Sequence, residues 1–125
     1  MRSKNAQMVA QFRHHFGPPV KSFPSIEGID LGLHADLLKE ELAEALDAME
    51  TGDPVELLDG LADLVYVAYG CALECGFDLD AAFAEVHRSN MSKLLPDGTV
   101  LRRDDGKVLK GPNFSPPDLL KLAGK

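Results

Sequence analysis

Two acidic helical segments joined by a short break constrain this chain more than any other feature. The first is Lys39-Glu40-Glu41-Leu42-Ala43-Glu44; the second is Glu56-Leu57-Leu58-Asp59-Gly60-Leu61-Ala62-Asp63. Between them, Thr51-Gly52-Asp53-Pro54 combines a helix-ending Gly, a capping Asp and a Pro suited to the first helical position. So short a connection makes the two helices antiparallel neighbours. Glu41 and Glu44 are spaced i, i+3 and share a face. Glu56, Asp59 and Asp63 fall within an arc of about 60° on the second helix. Folded together, the two faces bring four or five carboxylates around one point.

The second helix is apolar at nearly every other position, with Leu57, Leu58, Leu61, Leu64, Val65, Val67 and Ala68. A helix of that kind is expected to be buried, so its carboxylates would point into protein. Unpaired buried charges cost several kcal/mol each, and hard divalent ions prefer oxygen ligands. Glu41, Glu44, Glu56 and Asp59 therefore read as a magnesium site, while Glu40 and Glu50 read as ordinary solvated acids. Glu41 or Glu44 is the candidate to orient or deprotonate an attacking water, or Glu40 if the helix is rotated. No Ser, Cys or His sits in a nucleophile setting, which argues against a covalent intermediate.

The spacing of Met8, Val9, Phe12 and Phe16 predicts a first helix over 4–16, stopped by Gly17-Pro18-Pro19. His14 and His15 fall in its last turn, where a cation suits the helix dipole, and a capping or surface role is favoured over a ligand. Residues 17–29 are Pro- and Gly-rich and read as an ordered loop. The second helix is expected from about Asp30, its N-cap, to Glu50, with a core stripe of Leu37, Leu38, Leu42, Ala45, Leu46 and Met49. The third runs from the Asp53 cap and Pro54 to about Cys75. Gly60 and Gly70 within it each cost about 1 kcal/mol against Ala; Gly60, on the carboxylate side, suggests close helix approach or ligand access. Asp78 or Asp80 caps a fourth helix reaching Asn90.

One modest domain is expected from 125 residues, with a four-helix all-α core over about 4–95 and a mostly irregular tail over about 96–125. The turn signals Pro96-Asp97-Gly98 and Asp104-Asp105-Gly106 leave room for a short hairpin around Val100 and Leu101. Lys93, Arg102, Arg103, Lys107 and Lys110 supply five of the 13 basic residues, and composition leaves two readings open, a solvated surface and a phosphate-binding rim. The net charge of −7 argues against a nucleic-acid partner, not against a nucleotide held through a metal. Cys71 and Cys75 read as inert buried thiols. No signal peptide, long apolar run or lipidation signal occurs, so no membrane contact is expected and the cytoplasm is the expected compartment. The third helix is too apolar for a monomer of this length to cover, which predicts a homodimer or a dimer of dimers.

Glu-x-x-Glu at 41–44 and Glu-x-x-Asp at 56–59, joined to Ser89-Asn90-Met91-Ser92-Lys93 and Lys110-Gly111-Pro112, resemble the all-α nucleoside triphosphate pyrophosphatases. That superfamily groups MazG, the dimeric dUTPases and phosphoribosyl-ATP pyrophosphohydrolase; the likeness, over about 8–120, is to the MazG-like subgroup labelled phosphoribosyl-ATP pyrophosphohydrolase-like. The resemblance implies a Mg²⁺-dependent hydrolase, with Mn²⁺ as a substitute, that cleaves a nucleoside triphosphate between the α- and β-phosphates to a monophosphate and pyrophosphate. It assigns Mg²⁺ to Glu41, Glu44, Glu56 and Asp59, with Asp63 assisting the metal or the sugar. It gives Asn90 and Lys93, then Lys107 and Lys110, to phosphate oxygens, and implies dimers or tetramers whose sites are completed across the interface. The literal phosphoribosyl-ATP enzyme of histidine synthesis is a second reading, and a non-enzymatic helical oligomerisation module a third. The two lysines of the Gly- and Pro-rich tail are expected to order only when nucleotide arrives.

Overall fold

The computed structural model describes residues 1–125 and holds four α-helices and no strand: α1 (Lys4–Phe16), α2 (Leu31–Thr51), α3 (Pro54–Glu74) and α4 (Leu79–Met91). Each start has a local cause. Ser3 accepts from the Ala6 amide, and Asp30 accepts from the Leu33 amide at 3.0 Å. Asp53 accepts from the Val55 and Glu56 amides with Pro54 at the first position. At the end of α2, Gly52 sits at φ 71°, a left-handed conformation that costs glycine nothing. Its N–H and that of Asp53 both return to the Ala48 carbonyl. One helix is closed and the next opened within a few residues.

The chain divides into two compact units, Met1–Leu79 and Asp80–Lys125. The division comes before the core–tail boundary expected near residue 95, so α4 groups with the C-terminal stretch. In the first unit α3 packs against α2 and α1, and the loop before α2 is tied down by a Ser25 N–H to Cys75 carbonyl bond of 2.9 Å. No single helix is long and apolar enough to cross a membrane.

The burial pattern corrects two expectations. On α2 the enclosed residues are His34, Ala45 and Ala48, with Leu37 and Leu38 half-buried, while Leu42, Leu46 and Met49 of the expected stripe stay exposed. On α3 only Gly60, Gly70, Ala72 and Leu73 are buried; Leu58 is 70% exposed and Val65 50%. The reason is the closeness of α2 and α3: a seam of Ala and Gly brings the backbones together and pushes the leucines to its flanks. The apolar character of α3 thus does not bury it within one chain.

In the second unit the tail is irregular but anchored to α4. Ser92 Oγ accepts from the Ser115 N–H at 2.8 Å, and Arg88 Nη2 donates to the Pro116 carbonyl at 3.1 Å. The Asp118 N–H donates to Glu85 Oε1 at 3.1 Å, and the Gly111 N–H to the Lys93 carbonyl at 3.2 Å. The second turn signal is the tip of a small ladder, with one antiparallel bridge between Arg102 and Val108 and an Arg103 N–H to Lys107 carbonyl bond of 2.8 Å. The first is an Asx turn at Asp97, which accepts from the Thr99 N–H.

Candidate metal centre

The α2–α3 pair gathers Glu41, Glu44 and Asp63. One carboxylate oxygen from each lies within 4.8 Å of the others; Glu41 and Asp63 are half-buried and Glu44 is exposed. Glu41 sits on the seam side of α2, where its Oε2 is enclosed and meets no hydrogen-bond donor. Burial, then the charges of Asp63 and Glu44, push the Glu41 carboxyl above its ordinary value. An enclosed, unsatisfied carboxylate oxygen with two more carboxylates beside it is what a divalent cation would satisfy. The donor set fits a hard metal ion.

Asp63, placed as an assistant by the sequence reading, is thus inside the group. Glu56 and Asp59 are not part of it; both are exposed, about 10 and 6 Å before Asp63 along the axis of α3. Asn90 and Lys93 lie in the second unit, at the end of α4 and just past it, Asn90 exposed and Lys93 half-buried. Lys107 is exposed, and the Lys110 ammonium already lies 4.6 Å from the Phe114 ring centroid. That contact is a cation–π arrangement within the tail itself.

A second charged group escaped the sequence reading. Glu74, in the last turn of α3, pairs with Arg13 of α1, Nη2 to Oε2, at 3.2 Å and with His34 Nε2 of α2. The signal was there: a carboxylate in a last helical turn opposes the dipole and needs a cation. Beside it, burial and the neighbouring Cys75 push the Cys71 thiol up to about 11, and Cys75 is buried. Cys71 itself is only half-buried, which corrects the reading of both thiols as buried.

The fold is thus an all-α one whose close-packed α2–α3 pair presents three carboxylates that could hold a metal ion. The chain belongs to the phosphoribosyl-ATP pyrophosphohydrolase family, whose model matches residues 9–90, and so to the MazG-like all-α nucleoside triphosphate pyrophosphatase superfamily. It is also 33% identical, over 84 residues, to an uncharacterized protein of Acanthamoeba polyphaga mimivirus, the aligned part being 63% of this chain and 34% of the viral protein. The chain thus spans about a third of that relative. The family match covers all five acidic candidates and Asn90 but stops before Lys93, Lys107 and Lys110.

Proposed function

We propose that the protein is a Mg²⁺-dependent nucleotide pyrophosphohydrolase that opens the α–β phosphate bond of a (d)NTP, releasing a nucleoside monophosphate and pyrophosphate. The observation that carries this is the Glu41–Glu44–Asp63 group with its enclosed Glu41 oxygen, in a family of pyrophosphohydrolases. A divalent cation bound there would neutralise charge on phosphate oxygens as the anhydride opens. Glu41 and Asp63, the half-buried pair, are suited to hold that cation. Glu44, the exposed member, is the carboxylate a water can reach, and serves to orient it or take its proton. Glu56 and Asp59 extend the acidic face toward the start of α3 and supply further oxygens once nucleotide brings its phosphates. Asn90 and Lys93, and less strongly Lys107 and Lys110, are the side chains suited to phosphate oxygens, as charge-assisted hydrogen bonds favour.

The working form is a homo-oligomer in the cytoplasm. The apolar flanks of the α2–α3 seam remain exposed, and a groove of about 430 Å³ lined by Met8, Leu58, Leu61, Val65 and Tyr66 runs between α1 and α3. A contiguous apolar surface of that kind marks an interface.

A panel of dNTPs, NTPs and phosphoribosyl-ATP, assayed with Mg²⁺ for pyrophosphate against orthophosphate, tests the activity. Pyrophosphate from a dNTP or NTP is expected. Turnover confined to phosphoribosyl-ATP would move the chain to the histidine-pathway reading, and no turnover with no metal binding would leave the helical oligomerisation module. Sedimentation at micromolar concentration tests the assembly; a 13.5 kDa species would overturn it.

A further inference from the structure

The backbones of α2 and α3 come close together about one turn from the carboxylates. A Cβ on Gly60 would stand 3.1 Å from the Cα and Cβ of Ala45 and 3.2 Å from its nitrogen, contacts that force the neighbour to give by a few tenths of an ångström. Ala45 is 1% exposed and Gly60 is buried. Ala45 follows Glu44 directly and lies one turn past Glu41, while Gly60 lies about 4.5 Å before Asp63 along α3. The contact and the metal centre therefore share one stretch of the helix pair. We propose that the Ala45–Gly60 contact sets the spacing of Glu41, Glu44 and Asp63, making Ala45 and Gly60 positioning residues that select the size of the bound ion; this rests on the metal-site reading above.

The geometry gives the contact leverage. The helices are joined at Thr51–Pro54, so a wedge at Gly60 opens the pair like a hinge. Gly60 is about 9 Å from that hinge and Asp63 about 13.5 Å, so the gap grows by about half between them. Mg²⁺ demands near-ideal octahedral geometry at about 2.0–2.1 Å, whereas Ca²⁺ accepts flexible ligands at about 2.3–2.6 Å. A spread of tenths of an ångström falls within that difference, so widening costs Mg²⁺ binding more than Ca²⁺ binding.

Calorimetric titration of the full chain with Mg²⁺ and with Ca²⁺, without nucleotide, reads this independently of catalysis. Gly60→Ala is expected to weaken Mg²⁺ about tenfold, a loss typical of disturbed support around a metal site, and Ca²⁺ less, moving the preference toward Ca²⁺. Ala45→Gly, which relieves the same contact, is expected to move it the other way and stands in if Gly60→Ala does not fold. Leu73→Ala, buried near the far end of α3, is expected to lower stability without moving the preference. If the parent binds Mg²⁺ but neither seam variant changes the ratio, the positioning role is overturned and the metal site stands. If the parent binds neither ion better than Glu41→Gln does, both are overturned.

Discussion

Two levels of the α2–α3 pair, one at its far end and one near its middle, treat negative charge in opposite ways. Near the last turn of α3, Glu74 has two nitrogen partners, the Arg13 guanidinium and the His34 ring, drawn from two other helices. Around the middle of the pair, Glu41, Glu44 and Asp63 crowd together, and the enclosed oxygen of Glu41 has no donor. The fold therefore can bring Arg and His to a carboxylate on this pair, and does so at one level only. Where it does not, the proposed divalent cation would supply the compensating charge. The difference is informative because both groups share the same helices, so neither can be put down to a generally acidic surface.

The largest expected effect comes from the bare group. Glu41→Gln, Glu44→Gln and Asp63→Asn should each lower kcat about a thousandfold, roughly 4 kcal/mol of barrier, while circular dichroism of the metal-free protein stays that of the parent. Asp59→Asn and then Glu56→Gln should follow in descending order, with Glu50→Gln unchanged. An equal loss at Glu56 would shift the centre toward the start of α3. At the paired end the damage should be to stability: Glu74→Gln or Arg13→Ala leaves a charge without its partner and should cost about 3 kcal/mol in urea unfolding, with turnover of the folded protein within a few-fold of the parent. If Glu74→Gln abolished turnover at unchanged stability, the two levels would no longer differ in role. Lys93→Ala should cost about tenfold in kcat/KM, divided between kcat and KM, and Lys107→Ala and Lys110→Ala less, mainly in KM.

The smallest effect is a pH slope. Because the folded protein raises the Glu41 carboxyl above its unfolded value, that group binds protons more readily folded than unfolded. Its contribution is favourable below the ordinary carboxylate range and is lost as pH rises through the raised value. Metal-free protein should therefore lose stability from this group as pH climbs out of the carboxylate range, and Glu41→Gln should flatten the slope. Saturating Mg²⁺ should reverse it, since the ion binds the ionised form. A slope unaffected by Glu41→Gln would assign it elsewhere.

The helices were legible because their signals are local. Asp30, Gly52, Asp53 and Pro54 act on amides within a few residues, and the structure puts them to those uses. The pairing of α2 with α3 followed from the short connection between them. The composition of the bare group was legible only in part, since an arc of 60° on an isolated helix does not say which part of it faces the neighbour. The Ala45–Gly60 seam decides that and favours Asp63. The burial pattern was misread for the same reason: apolar periodicity assigns leucines to a core, but the close seam needs Ala and Gly. Arg13, His34 and Glu74 come from three helices, a meeting that no periodicity within one helix reports. In the second unit, the bonds of Ser92, Arg88 and Glu85 to residues 115–118 are single specific contacts with no repeating pattern.

The turn at Thr51–Pro54 also bears on how the molecule forms. With Gly52 closing α2 and Asp53 opening α3, the reversal needs no help from distant chain, and Glu41, Glu44 and Asp63 all lie on the two helices it joins. Closing such a short loop has little entropic cost, and helix and local loop formation take about a microsecond or less. The α2–α3 hairpin is therefore the natural nucleus of the first unit, with α1 docking later. Ala45→Gly and Asp53→Ala should slow folding, whereas Val9→Ala, on α1, should chiefly speed unfolding. Carboxylates that repel one another would then be gathered in the first cooperative step, so a divalent cation present during refolding should raise the folding rate as well as the stability of the finished protein.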